Sequence, residues 1–185
     1  MLEDIQRSAD ERMQKAVEVL RRDLQTVRTG RATPAMLDKV MVEYYGSQMP
    51  VNQVASVTSP EPRMLTISPW DKSMLSEIEK AIQKSDLGLN PNNDGSVIRL
   101  VVPALTEQRR QELVKVVKKM TEDARVAVRN VRRDANDDLK KAEKSGDVSE
   151  DEVRRGMEKI QALTDKYVGE IDKLGAAKEH DLMEI

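Results

Sequence analysis

The sequence contains no cysteine and no phenylalanine, and its aromatic side chains are one tryptophan and three tyrosines. The absence of cysteine excludes disulfides, thiolate metal sites and cysteine nucleophiles, and it is typical of a protein in a reducing compartment. A core with so few aromatic residues must be built from Leu, Val, Ile, Met and Ala, which favours long packed helices over a thick globule. We therefore expect an elongated, helix-rich molecule.

The sequence also lacks a long hydrophobic run. The best candidate, Leu100 to Leu105, contains Pro103 and is far shorter than the roughly 18 residues of a membrane span. The start of the chain, Met1 to Asp4, is acidic rather than basic, unlike a signal peptide. We predict neither a signal peptide nor a transmembrane helix, no membrane partner, and a cytoplasmic location.

Motifs for covalent chemistry are missing as well. The only histidine, His180, lies near the C-terminus, where a surface position is favoured over a role as a catalytic base. No GxxxxGK[ST] loop for nucleotide binding occurs. Glu150, Asp151 and Glu152 resemble a metal-binding cluster, but acidic residues at a helix start are explained by the helix dipole. We predict no catalytic residue, no metal site and no cofactor.

Three stretches show the apolar spacing of three and four residues that is typical of amphipathic helices. The first is predicted over residues 2–28, ending at Gly30. The second begins after Pro103 with Thr106 as its N-cap and ends near Gly146. The third begins with a capping box formed by Ser149 and Glu152. The short link makes the second and third helices antiparallel, so the three apolar stripes bury one another in a bundle.

The expected packing face of the second helix is a single apolar stripe. Its predicted members are Leu113, Val117, Met120, Ala124, Ala127, Val131, Ala135 and Leu139. In the third helix the predicted stripe includes Met157 and Leu174. Gly156, Gly169 and Gly175 lie inside that helix at a cost of about 1 kcal/mol each relative to Ala, so the sequence defines its existence better than its ends.

The segment between the first two helices differs in composition. Residues 31–104 hold all seven prolines and several short β-rich runs. Strands are predicted over 39–44, 54–58, 64–68 and 96–102, the last after an Asp94-Gly95 turn, and a helix is predicted over 73–85. We predict a small β/α/β domain over 31–104, inserted into a bundle formed by 1–30 and 105–185. Tyr44, Tyr45 and Trp70 are expected to fill its thin core.

Two short segments join the insert to the bundle and form a candidate hinge. They are Thr29, Gly30 and Arg31 on one side, and Pro103, Ala104 and Leu105 on the other. Two connections restrict the range of motion. A rigid joint stiffened by Pro103 is the alternative.

The strongest functional pattern lies in the second helix. Arg125, Arg129 and Arg132 fall at spacings of four and three on one helix face, which extends back to Lys118. Residues 109–133 contain nine basic and three acidic residues, whereas 147–185 contain eleven acidic and six basic ones, and the whole chain carries a net charge of −2. This uneven distribution of charge favours a phosphate-bearing partner. The alternative interpretation is an ordinary solvated helix face.

Four motifs resemble those of the bacterial ribosome recycling factor family. They are TGRATPAML at 29–37, VEYYG at 42–46, SDLGLNPNNDGS at 85–96 and RVAVRNVRRDAND at 125–137. The resemblance implies an α+β fold, with a long three-helix bundle and a small β/α/β domain in an L shape similar to transfer RNA. It implies binding to the post-termination ribosome and, with elongation factor G and GTP, subunit splitting and release from messenger RNA, without covalent catalysis.

The resemblance also implies that the bundle lies on large-subunit ribosomal RNA through Arg110, Arg129 and Arg132, and that the insert meets elongation factor G. The complete predicted RNA-binding set is Arg110, Lys118, Arg125, Arg129 and Arg132, on a monomeric chain. The alternative function is a coiled-coil scaffold or chaperone, which would expose an apolar groove to protein partners instead of arginines.

Overall fold

A computed structural model describes residues 1–184, which divide into two compact units. One unit consists of Met1–Arg28 and Glu107–Glu184, and the other of Thr29–Thr106. In chain order the elements are α1 (Leu2–Gln25), β1 (Met41–Tyr44), β2 (Ser47–Pro50), the single-turn helix α2 (Val51–Val54), β3 (Ala55–Glu61), β4 (Met64–Pro69), α3 (Leu75–Lys84), β5 (Asn92–Asn93), β6 (Ile98–Val101), α4 (Glu107–Lys144) and α5 (Glu150–Glu184). The predicted α+β class, a long three-helix bundle with a small inserted domain, is confirmed.

The link between α4 and α5 has the predicted end signals. Gly146 adopts a φ of +80°, and its amide donates to the Glu143 carbonyl at 3.0 Å, which ends α4. The Ser149 hydroxyl accepts from the Glu152 amide at 3.1 Å, and the Glu152 carboxylate accepts from the Ser149 amide at 3.3 Å. The capping box is therefore confirmed, and α5 runs back along α4. None of the helices within residues 1–184 is long and apolar enough to span a membrane.

The buried face of α4 differs from the predicted stripe at two positions. Its buried members are Leu113, Val117, Thr121, Ala124, Val128, Val131, Ala135, Leu139 and Ala142. Met120 and Ala127 are only partly buried. Thr121 can replace an apolar residue because its hydroxyl donates to the Val117 carbonyl at 2.8 Å, which satisfies the polar group within the helix itself.

The glycines of α5 explain how closely it approaches α4. Gly156 and Gly175 are buried, whereas the predicted stripe members Met157 and Leu174 are only partly buried. A Cβ atom on Gly175 would lie 2.5 Å from the Thr121 hydroxyl oxygen. The helix tolerates these glycines because their missing side chains allow close packing, and it continues without a break to Glu184.

The insert contains two antiparallel sheets. β1 and β2 form a hairpin, and the other strands form a four-stranded sheet in the order β3-β4-β6-β5. The strand β2 was missed by the sequence analysis, since its SQMP sequence has no β-branched residue. The helix α3 packs against this unit, whose fully buried side chains are Leu37, Val51, Leu65, Ile67, Ile78, Ile82, Ile98 and Leu100. Gly95 takes a φ of +93° between β5 and β6, which confirms the predicted turn.

The aromatic residues of the insert do not all fill its core. Tyr44 is partly buried against the core cluster. Tyr45 and Trp70, however, are 81% and 69% exposed. The expectation that all three residues form the core was therefore wrong for two of them. The buried side chains of this small core are aliphatic apart from Met74, and Tyr44 packs against them.

Candidate nucleic-acid interface

The basic stripe of α4 runs along the helix beside its buried face. Successive α-helical residues are rotated by about 100°, which sets the positions that share a face. Seven basic residues fall within one stripe, namely Lys115, Lys118, Arg125, Arg129, Arg132, Arg133 and Lys140. Arg110, in the first turn of α4, lies about a quarter of a turn from the centre of this stripe and is partly buried.

Arg125 is the member whose charge is neutralised within the bundle. Its Nε atom donates to Asp172 Oδ1 of α5 at 2.7 Å, and its Nη1 atom donates to Glu122 Oε2 at 2.8 Å. The hydrogen bond to Asp172, followed by that to Glu122, raises the pKa of Arg125 above its ordinary value. Its side chain is 29% exposed. Arg125 therefore acts as a bridge between α4 and α5, a role that the spacing pattern could not reveal.

Arg129 and Arg132 are freer to meet an external anion. Arg129 Nη1 lies 3.5 Å from Glu122 Oε1, and its side chain is 50% exposed. Arg132 Nη1 donates to the neutral Gln161 Oε1 at 3.3 Å. Within residues 1–184, Arg132 has no carboxylate partner. An uncompensated guanidinium presents a planar fork of donors that matches phosphate oxygens.

A shallow depression of about 310 Å³ brings Arg129 and Arg132 together with two further cations. It is lined by Arg129, Asn130, Arg132, Arg133, Asn136, Asp137 and Lys140. Among the described residues 1–184, Arg133 Nη2 donates to a neutral group alone, Asn130 Oδ1, at 3.2 Å. The sequence analysis missed Arg133 and Lys140, although their spacings of four and eleven residues from Arg129 were a usable signal. We call Arg129, Arg132, Arg133 and Lys140 the cationic depression.

The other two predicted RNA-binding residues lie outside the cationic depression. The Lys118 ammonium is 4.0 Å from Glu179 Oε1 and the side chain is 69% exposed. At 1.5 Å of rise per residue, Lys118 lies about 21 Å and Arg110 about 33 Å along α4 from Arg132. An RNA surface that contacts all three must therefore extend about 33 Å along the helix.

The two connecting segments of the insert contact one another. Gly30 has a φ of +82°, a region that favours glycine, and its Cβ position would lie 3.6 Å from Leu105 Cγ and 3.7 Å from the Pro103 carbonyl oxygen. The Thr29 hydroxyl accepts from the Arg31 amide at 3.4 Å. The segments are thus packed side by side rather than being two independent loops.

Comparison with known proteins gives the family. A family model described as ribosome recycling factor matches residues 20–183. This chain belongs to the ribosome recycling factor family. The ribosome-recycling factors of Carboxydothermus hydrogenoformans and Bacillus subtilis are 59% and 57% identical over 185 residues, with all of each chain covered. The family predicted from the four sequence motifs is confirmed.

Solved structures agree with this assignment. A solution structure of the ribosome recycling factor is 46% identical, with a TM-score of 0.77 over 100% of this chain and 98% of that one. A second match, to models of the T. thermophilus ribosome recycling factor and the E. coli elongation factor G bound to the E. coli post-termination complex, has 46% identity, a TM-score of 0.65 and 99% coverage of both chains. The function of this chain is ribosome recycling. Members of the family are translation factors and not enzymes, as the sequence predicted.

Proposed function

We propose that this chain binds the post-termination ribosome by laying α4 on large-subunit ribosomal RNA, with the cationic depression as its main contact. It then acts with elongation factor G and GTP to split the subunits, as a monomer in the cytoplasm. The observation that supports the RNA contact most strongly is that Arg132 has no carboxylate partner among residues 1–184. Arg110, Lys118 and Arg125 remain secondary members of the proposed interface.

The arginine side chains of the cationic depression favour RNA over a partner that offers negative charge alone. A guanidinium can bind a phosphate through two hydrogen bonds and can also stack on an exposed base, whereas an ammonium supplies a mobile point charge. Three of its four cations are arginines held on a rigid helix. If these four cations neutralise four phosphates, affinity should fall with salt with a log-log slope of about −3 to −4.

The second part of the proposal, the action of elongation factor G, concerns the two segments that connect the insert to the bundle. Elongation factor G is expected to act on the insert while the bundle remains on the RNA. We propose that the segments 29–31 and 103–105 allow limited motion of the insert for this purpose. The packing of Gly30 against Leu105, within the unit Thr29–Thr106, supports this proposal because it couples the two segments to one another.

One observation favours the alternative of a protein-binding scaffold. An open groove of about 520 Å³ lies between α1 and α4, and its apolar lining includes Ala16, Val19, Met120 and Ala127. Charged side chains also line it, among them Arg12, which pairs with Asp134 at 3.1 Å, so the groove is not a continuous apolar surface. A scaffold function would place the binding energy there rather than in the cationic depression.

A direct experiment separates the two functions. Purified ribosomes are sedimented with the protein in low and in high salt, and polysomes are then incubated with it in the presence or absence of elongation factor G and GTP. The proposal predicts co-sedimentation that is lost in high salt, and conversion to subunits only when both additions are present. Arg132→Ala should weaken both activities, whereas the matched variant Arg21→Ala on α1 should not. Co-sedimentation insensitive to salt, or splitting unaffected by Arg132→Ala, would refute the RNA contact.

A further inference from the structure

Two aromatic side chains of the insert are exposed without contributing to its core. Tyr45 is 81% exposed and Trp70 is 69% exposed, in a chain with only four aromatic residues. Exposed aromatic residues are frequent at the centres of protein interfaces, where tyrosine and tryptophan contribute large contact areas at low entropic cost. Their positions in this unit therefore require an explanation other than folding.

The backbone at Tyr45 adds a second observation. Tyr45 and Gly46 form the two-residue turn between β1 and β2, with φ values of +48° and +84°. The first position of such a turn favours Asn, Asp or Gly, and positive φ is uncommon for a bulky residue. The hairpin thus retains a tyrosine where an asparagine would fit better. Unfavourable local geometry of this kind is found at functional sites.

The surrounding contacts hold Tyr45 in place beside the segment that carries Trp70. The Tyr45 ring packs edge-on against Tyr44, with 4.5 Å between ring centroids. Its hydroxyl donates to Asp71 Oδ2 at 3.3 Å, while Asp71 Oδ1 accepts from the Ser73 amide at 3.0 Å and from the Ser73 hydroxyl at 2.7 Å. The Trp70 amide donates to the Val54 carbonyl at 3.3 Å, which fixes the segment on the sheet. These contacts hold the Tyr45 ring and the backbone that carries Trp70 before any partner binds.

The charges nearby distinguish between a protein and an RNA partner. Platforms that stack nucleic-acid bases combine aromatic rings with a positively charged groove. In the sequence, the charged residues next to Tyr45 and Trp70 are Glu43, Asp71 and Lys72, and Asp71 accepts from the Tyr45 hydroxyl. The hydrogen bonds from the Ser73 side chain and backbone lower the pKa of Asp71, which favours its ionised form. This setting favours a protein surface with an apolar hollow and a basic side chain beside it.

We propose that Tyr45 and Trp70 form a preformed docking patch through which the insert binds elongation factor G. The inference rests on the proposed function, because it assumes that elongation factor G acts on the insert. It adds the residues that would determine this contact and separates them from the RNA contact on α4. The basic side chain on the partner would face Asp71 and Glu43.

The test uses substitutions that preserve the fold. Tyr45→Asn places a favoured residue in the turn while removing the ring, and Trp70→Ser removes an exposed side chain. Val101→Thr is a matched control, since Val101 is 57% exposed on β6 of the same unit. Thermal unfolding of each variant should match or exceed the wild type. If Trp70→Ser unfolds at a lower temperature than the wild type, it is replaced by Trp70→Leu, which keeps an apolar side chain of smaller area.

The measurements are ribosome affinity without elongation factor G, and the splitting rate as a function of its concentration. The double variant Tyr45→Asn/Trp70→Ser should bind ribosomes within two-fold of the wild type, but should require at least five-fold more elongation factor G for half-maximal splitting. Val101→Thr should change neither quantity. An unchanged requirement in the double variant, with an active wild type, would refute this inference alone. If the wild type does not split ribosomes when elongation factor G and GTP are present, the proposed function itself fails.

A photo-crosslinking experiment identifies the partner. Trp70 is replaced by benzoylphenylalanine in the full chain, and the complex with purified ribosomes, elongation factor G and a non-hydrolysable GTP analogue is irradiated. A crosslink to elongation factor G supports the proposal. A crosslink only to ribosomal RNA or to a ribosomal protein, or no crosslink, would overturn it.

Discussion

A methyl group added at Gly175 tests how closely α5 packs on α4. The Cβ atom would lie 2.5 Å from Thr121 Oγ1, 2.9 Å from Cγ2 and 3.3 Å from Cβ. Thr121 is only 5% exposed, and its hydroxyl donates to the Val117 carbonyl at 2.8 Å. A β-branched side chain fixed in this way cannot rotate aside. Gly169 of the same helix has nothing within 4 Å of its Cβ position, so it provides a matched control.

The expected changes in the free energy of unfolding have opposite signs for Gly169→Ala and Gly175→Ala. Replacing a helical glycine by alanine stabilises by about 0.5–1 kcal/mol where there is space, which is the prediction for Gly169→Ala. At Gly175 the same gain is opposed by overpacking that costs about 1–3 kcal/mol, for a net loss of about 0.5–2 kcal/mol. Removing two of the clashing atoms through Thr121→Ala should therefore restore part of the stability of Gly175→Ala, with a coupling energy of about 1 kcal/mol.

Urea denaturation followed by far-UV circular dichroism measures these changes, because most helical residues belong to the three bundle helices. Trp70 fluorescence follows the insert separately. A Gly175→Ala variant as stable as the wild type would refute the close packing. A loss of stability in Gly169→Ala would show that helix propensity does not govern the control.

Three further predictions concern other contacts. Arg125→Ala should lower the free energy of unfolding by about 0.5–1.5 kcal/mol in a urea titration, because it removes the bridge to Asp172; an unchanged midpoint would contradict that bridge. The backbone amides of Val97 and Ser96, with Arg99, lower the pKa of Asp94 to about 2, so its stabilising contribution is complete above the ordinary carboxyl pKa and is lost as the pH falls towards 2. Asp94→Asn should therefore flatten the acid side of the stability profile between about pH 4 and pH 2, and an unaltered profile would contradict this. Pro103→Gly should broaden the distribution of distances between spin labels placed on the two units, measured by double electron–electron resonance, whereas an unchanged width would indicate that Pro103 does not stiffen the joint.

The sequence predicted the features that depend on local rules. The capping box at Ser149 and the left-handed Gly146 follow from short-range hydrogen bonding, so the ends of α4 and α5 near their link were correct. The class of fold followed from apolar periodicity and the distribution of proline. The ribosome recycling family followed from four motifs whose residues are spread over the two units.

Features that depend on contacts between distant residues were not predictable. Residue types alone suggested Met120 rather than Thr121 for the buried stripe, because the hydrogen bond that allows burial of a threonine is not evident from its polarity. The pairing of Arg125 with Asp172 joins residues 47 positions apart, so a pattern of spacings on α4 could not separate it from its neighbours. The same limit applies to Trp70, whose exposure depends on how the sheet is covered.

The most direct test of the central claim is the salt dependence of ribosome affinity for the wild type and Arg132→Ala, with Arg21→Ala as control. The account predicts weaker binding by Arg132→Ala and a log-log slope that is less steep by about 0.7–0.9, the value expected for the loss of one phosphate contact. Arg21→Ala should retain the wild-type affinity and slope. An Arg132→Ala variant with the same affinity and the same slope as the wild type would contradict the claim that the cationic depression binds ribosomal RNA.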